Sequence, residues 1–150
     1  MENGKNSPTP EFFNEVIESQ VKPGMVIGFL SEHDFLTSVD SISNVISYLQ
    51  RTITGVVYTD SYLISNTKIP QIMPSFSRHV LYNLIINTPM FVTSELINKF
   101  DTNFSTMYFY DMFRLLGKKA LLAQIPLPII STNYHPINNN EIESIKKKHG

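Results

Sequence analysis

Met25-Val26-Ile27-Gly28-Phe29-Leu30-Ser31-Glu32-His33-Asp34-Phe35-Leu36 is the stretch on which the reading of the fold turns. Residues 25–30 carry no charge and are bounded by Pro23-Gly24 before and Ser31 after. That pattern suits a buried strand better than a helix. Glu32, His33 and Asp34 then fall at the carboxyl end of the strand, where open α/β sheets place their ligands. Two acids and an imidazole in three residues supply donors for a divalent cation, the oxygens suiting magnesium or manganese. The same residues also read as a turn leading into a helix, with Asp34 or Ser31 as its cap, and so short a motif does not separate the two readings.

Downstream, Ser38 or Asp40 caps a helix with Ile42, Val45, Ile46 and Leu49 on one face. Thr54-Gly55 stops it, and Gly55-Val56-Val57-Tyr58-Thr59-Asp60 reads as a second apolar strand ending in an acid. Strand, helix, strand over this span predicts a parallel, right-handed βαβ unit. Upstream, Phe12, Phe13, Val16 and Ile17 recur at helical spacing, which predicts an amphipathic helix over 10–20. Residues 65–75 hold Pro70 and Pro74 and read as loop. Phe76 to Ile85 is expected to be helical, Met90-Phe91-Val92 a short strand, and Ser94 to Ile97 one or two helical turns. Met107 to Leu116 reads as a helix closed by Gly117. A strand over 118–125 follows, then an extended edge segment, Ile129 to Tyr134, guided by Pro126 and Pro128. Residues 1–9 are expected to be flexible, 10–136 to form one α/β domain, and 137–150 to be a polar tail, solvated or a short helix.

Composition narrows the function classes. The chain has 150 residues, 42% of them hydrophobic, and a net charge of −1. That size favours one domain with a real core. The charge balance gives no electrostatic footprint for nucleic acid or an anionic membrane. Lys146-Lys147-Lys148 reads as a solvated run rather than a binding patch. With no cysteine there are no disulfides, thiolate metal sites or cysteine nucleophiles. The start of the sequence has no apolar run of the signal-peptide kind, and no segment is apolar for long enough to span a bilayer. A cytoplasmic setting is the expectation.

The order of landmarks resembles the carboxyl-terminal part of family-2 glycosyltransferases of the GT-A fold. Those enzymes run a strand into Leu-Asp-x-Asp-Asp, then a helix, then a strand ending near an acid. A Phe-Asp segment, an acidic helix and a final Ile-Pro and His come later. The matching stretches here are Phe29 to Asp34, Gly55 to Asp60, Met90-Phe91-Val92-Thr93, Lys99-Phe100-Asp101, Tyr110 to Gly117, Ile125-Pro126-Leu127 and Tyr134-His135, with Asn14 in the helix before the acidic strand. They cover about residues 10–136, and it is their order that is specific rather than any one of them. The resemblance implies a mixed sheet with flanking helices, truncated, without the family's opening nucleotide-binding unit. It implies manganese or magnesium on Glu32, His33 and Asp34, His135 completing the coordination or touching phosphates, and Asp111 as the base of an inverting sugar transfer. Ser31 and His33 stand where the family has acids, and the acidic pair of the later helix is reduced to Asp111. Two expectations follow: a glycosyltransferase acting on a sugar nucleotide, or a non-catalytic binding or structural module of that fold, with a glycan as ligand. Either would have a protein partner or a second copy over the apolar surface left by the missing unit. Asp111 pairing only with Arg114, one turn on, is the bland alternative.

Overall fold

The computed structural model describes residues 9–30, 34–51, 54–64, 68–132 and 137–150. In chain order the elements are α1 (Pro10–Gln20), β1 (Val26–Gly28), β2 (Asp34–Leu36), α2 (Ser41–Arg51), β3 (Val56–Ile64), β4 (Lys68–Gln71), α3 (Arg78–Asn83), β5 (Met90–Thr93), α4 (Tyr108–Lys119), β6 (Ala123–Thr132) and α5 (Asn139–His149). The strands form one mixed sheet in the order β1-β5-β3-β6-β2, with β4 pairing to the far half of β3. The α/β class is borne out, and the strands expected near 25–30, 55–60 and 120–125 share that sheet. No helix among the described residues is long and apolar enough to cross a membrane.

β3 is the axis of the sheet. It pairs antiparallel with β5 and β4 and parallel with β6. One face packs on α1, α3 and α4 through Phe13, Val80, Leu81, Phe109, Met112, Phe113 and Leu116. The other packs on α2, where Val45 meets Val57, Phe91 and Ile125. α1 starts at Thr9, whose hydroxyl accepts from the Phe12 N–H at 3.3 Å, with Pro10 in the first turn. Asn14 then ties α1 to the segment before α4. Its side-chain NH2 donates to the Phe100 carbonyl at 2.9 Å and its oxygen accepts from the Phe100 N–H at 2.7 Å.

Several expectations are corrected. β1 is a three-residue edge strand rather than a buried one, and Val26 is 40% exposed. Apolar composition does not distinguish an edge from a centre when only one neighbour pairs. β1 and β3 do run parallel, but β5 is inserted between them, antiparallel to both. Asp34 caps no helix: it opens β2, opposite Thr132 of β6. Pro70 does not break the 65–75 segment but sits in β4, opposite Tyr62, on an edge where a missing N–H is tolerated. Ser94 to Ile97 is a turn, not a helix. Lys118 and Lys119 belong to α4, so the strand starts at Ala123. The segment after Pro128 is not an edge, because β6 lies between β3 and β2. Its prolines fall where the register slips, from Thr59↔Ile125 to Asp60↔Pro128 to Ser61↔Ile130. Bulges of this kind accommodate residues that cannot donate to a ladder.

Gly117 does not end α4, which runs on to Lys119. A Cβ at Gly117 would stand 2.5 Å from Leu81 Cδ1 and 3.4 Å from the Phe76 ring. The glycine is there for close approach of α4 to α3, not for a turn. Gly117→Ala should therefore lower stability by about 1–2 kcal/mol in urea titration, overpacking against buried Leu81 outweighing the gain in helix propensity. A more stable variant would show that Leu81 has room to move.

Candidate functional site

α4 carries Asp111 one turn from its start, and Asp111 is only 3% exposed. Its partners come from α5. Lys148 Nζ donates to Asp111 Oδ1 at 2.9 Å and Oδ2 at 3.1 Å, and also reaches Asp101 Oδ2 at 2.9 Å. His149 Nε2 lies 2.7 Å from Asp111 Oδ1. Lys148 is therefore not part of a merely solvated lysine run. Arg114 is not the partner of Asp111 either: its guanidinium donates to the Leu81 carbonyl at 2.8 Å and lies over the Tyr82 ring. Burial would lower the Lys148 pKa, but the Asp111 and Asp101 carboxylates outweigh it and raise it. Burial lowers the His149 pKa, with the cations Lys148 and Lys118 adding to it against the pull of Asp111. A neutral His149 donating from Nε2 while Lys148 carries the charge satisfies both.

The other end of α5 holds the start of α4. Asn138 caps α5, its Oδ1 accepting from the Glu141 N–H. Glu141 Oε1 accepts from the Ser105 N–H at 2.8 Å, and Oε2 from the Thr106 and Met107 N–H groups at 3.0 and 2.7 Å. Met107 offers no side-chain cap of its own, so Glu141 supplies the acceptor from 34 residues away. Burial would raise the Glu141 pKa, but these three N–H groups hold it below the ordinary value. Ile142 and Ile145 pack between the two polar ends, against Phe104, Met107 and Tyr110. The segment expected to be a solvated tail or a short helix is a docked helix. An Ile142, Ile145, His149 stripe at helical spacing was its only signal in the sequence.

Of the proposed metal ligands, Asp34 alone is described; Glu32, His33 and His135 lie outside the described residues. Asp34 and Thr132 face each other across β2 and β6, so their side chains project to the same side. Burial, and after it the Asp34 carboxylate, pushes the pKa of Tyr108 up to about 12. Asp34 thus stands near the start of α4. Among the described residues no three His, Asp or Glu side chains gather as a metal site. Asp101 turns its own loop, accepting from the Asn103 N–H at 3.0 Å. Asp60 accepts from the Met73 N–H at 2.8 Å and from Gln124 Nε2 at 2.7 Å, which fixes the chain after β4 to β6.

A cleft of about 400 Å³ opens between the β3–β4 hairpin, residues 85–89, the start of α4 and the end of β6. Ser61, Gln71, Thr88 and Thr132 give it polar wall, and Met73, Ile85, Met107 and Ile130 apolar wall. No charged side chain among the described residues lines it. Asp34 adjoins it through its cross-strand partner Thr132. Asp111 is not part of its lining. No family model matches this sequence, and no curated protein matches it.

The α5 cluster makes two measurable claims. Acidification should reduce stability in two stages. The folded-state pKa of His149 lies below the ordinary 6.5, so its contribution is full above that value and is lost as pH falls through the folded pKa. Asp101 and Glu141, held below 3.8 and 4.5, add a second loss at lower pH. Urea midpoints against pH for the wild type and His149→Gln should show the first stage vanish in the variant and the second remain. Separately, Lys148→Met should cost about 2–3 kcal/mol by leaving the buried Asp111 charge with His149 as its donor and no cation. Asp111→Asn should cost only about 1 kcal/mol, because Lys148 keeps Asp101 as its partner and reaches water. The reverse order in denaturant titration would mean that Lys148 does not neutralise Asp111.

Proposed function

We propose that this chain is a glycosyltransferase-like module of GT-A type that binds rather than transfers. The reading is carried by one observation, the engagement of both Asp111 oxygens by Lys148 and His149. A general base needs a free lone pair within reach of the proton it takes. An Asp111 buried beneath α5 offers neither to an acceptor hydroxyl. The GT-A assignment is supported by the order of elements. A strand leads to the acidic cluster, α2 and β3 follow, and α4 carries Asp111 after the Phe100-Asp101 turn. The Asn14 pair with Phe100 joins two of the landmarks that carried the resemblance. Exposed Phe35, Val39, Ile42 and Ile46 favour a protein partner or a second copy of the chain over that surface.

A second reading keeps the transferase. The position of Asp34 beside the cleft favours it, because manganese on Glu32, His33 and Asp34 would then face a ligand. One experiment separates the two. The chain is incubated with uridine- and guanosine-diphosphate sugars and manganese, and nucleoside diphosphate release is followed for wild type and Asp111→Asn. Binding without transfer predicts no release above the protein-free rate from either. Release by the wild type that Asp111→Asn abolishes would restore Asp111 as the base.

A further inference from the structure

Thr132 is 2% exposed, and its Oγ1 has no hydrogen-bond partner. A buried hydroxyl left unpaired is costly, and sites that keep one often supply its partner from a ligand. Thr132 also lines the cleft at the end of β6. Ser61 donates its own hydroxyl to Gln71 Oε1 at 3.2 Å, which leaves the Gln71 NH2 group pointing to no protein acceptor among the described residues. Asn87 is already committed, its oxygen accepting from the Tyr110 N–H at 3.1 Å and its NH2 donating to the Thr106 carbonyl at 3.4 Å. Free polar capacity is thus concentrated at Thr132, Gln71 and Thr88, and the rest of the wall is aliphatic and thioether.

We propose that this cleft is the binding site for a neutral small molecule that joins an apolar body to hydroxyl groups. The volume lies near the low end of small-molecule sites, about 300–1,000 Å³. Charge decides the class. Among the described residues, an anion would meet no lining cation, with Asp34 at the border, and a cation would meet no acid within the lining itself. Either would lose its hydration without a partner. A purely apolar ligand would leave Thr132 Oγ1 unpaired. A hydroxylated ligand without an apolar part would leave Ile72, Met73, Ile85 and Ile137 facing water. The inference rests on the chain being a binding module, and its test does not use the transfer assay that probes that reading.

The probe is n-octyl β-D-glucoside below its micelle concentration, titrated into the full chain labelled for amide NMR. Glucose and octyl sulfate serve as comparisons. Saturable shifts centred on Ser61, Thr88, Met107 and Thr132 are expected with octyl glucoside. Shifts there should be at least tenfold weaker with either comparison compound. Thr132→Val should weaken octyl glucoside about tenfold, the loss of one hydrogen bond, yet raise the melting temperature of the ligand-free chain by about 2–4 °C, because the unpaired hydroxyl is gone. Ile137→Asp, at an exposed rim position, should weaken binding without affecting folding. Equal binding of octyl sulfate, shifts scattered over the surface, or wild-type affinity in both variants would overturn the proposal. So would the absence of any saturable shift, which would leave the non-catalytic reading untouched.

Discussion

A carboxylate at 3% exposure on the first turns of α4 is the constraint around which this structure closes. An unpaired charge at that depth is costly enough to unfold a domain of ordinary stability, so something has to reach it. α4 cannot supply the partner, since Arg114 turns away to the α3 carbonyls. The solution is a helix from the far end of the chain with a cation at one end and a carboxylate at the other. Glu141 satisfies the N–H groups that start α4, and Lys148 with His149 satisfies the acid that follows. The apolar contacts of Ile142 and Ile145 hold the two ends in register. α4 in turn presents Phe109, Met112, Phe113 and Leu116 to the sheet, so the main core depends on the polar clamp behind it.

That dependence bears on how the candidate site is understood. The resemblance to glycosyltransferases gave Asp111 a chemical role; in the structure both of its oxygens are engaged, by Lys148 and His149. The cleft touches α4 only at its start, through Met107, and does not include Asp111; among the described residues its lining carries no charge. Asp34 is the one described acid that borders the cleft.

Much of the architecture was legible in the sequence. The helices over 10–20 and 41–51 and the strands at 56–60 and 90–93 follow from local periodicity and turn residues, which act over a few positions. The errors about the strands share a cause in long-range pairing. Whether 25–30 is an edge or a centre is set by β5, more than sixty residues later, and the interior place of β6 is set by β2, nearly ninety residues earlier. Prolines in β4 and β6 argued for loop and edge, because a bulge leaves no signature in the residues themselves. The site was read less well. A lysine run looks like solvent-facing charge from sequence, and only the docking of α5 shows that Lys148 has two carboxylates to meet. The cleft was not legible at all, since its walls come from four separate parts of the chain.

The pairing pattern has a consequence for biosynthesis. Among the described residues β1 finds its neighbour in β5 alone, and β2 in β6 alone. During vectorial synthesis the first fifty residues therefore emerge with two strands that have nothing to pair with. Loop closure over such separations is slow compared with local helix formation. The Asp111 carboxylate enters a forming core before Lys148 has been added. A nascent chain halted between residue 111 and the end of β6 would hold β2 without its neighbour and an Asp111 charge without Lys148, a state prone to aggregation. Closure of this core therefore waits on α5, which has to be in place before the Asp111 carboxylate can be buried with its partners.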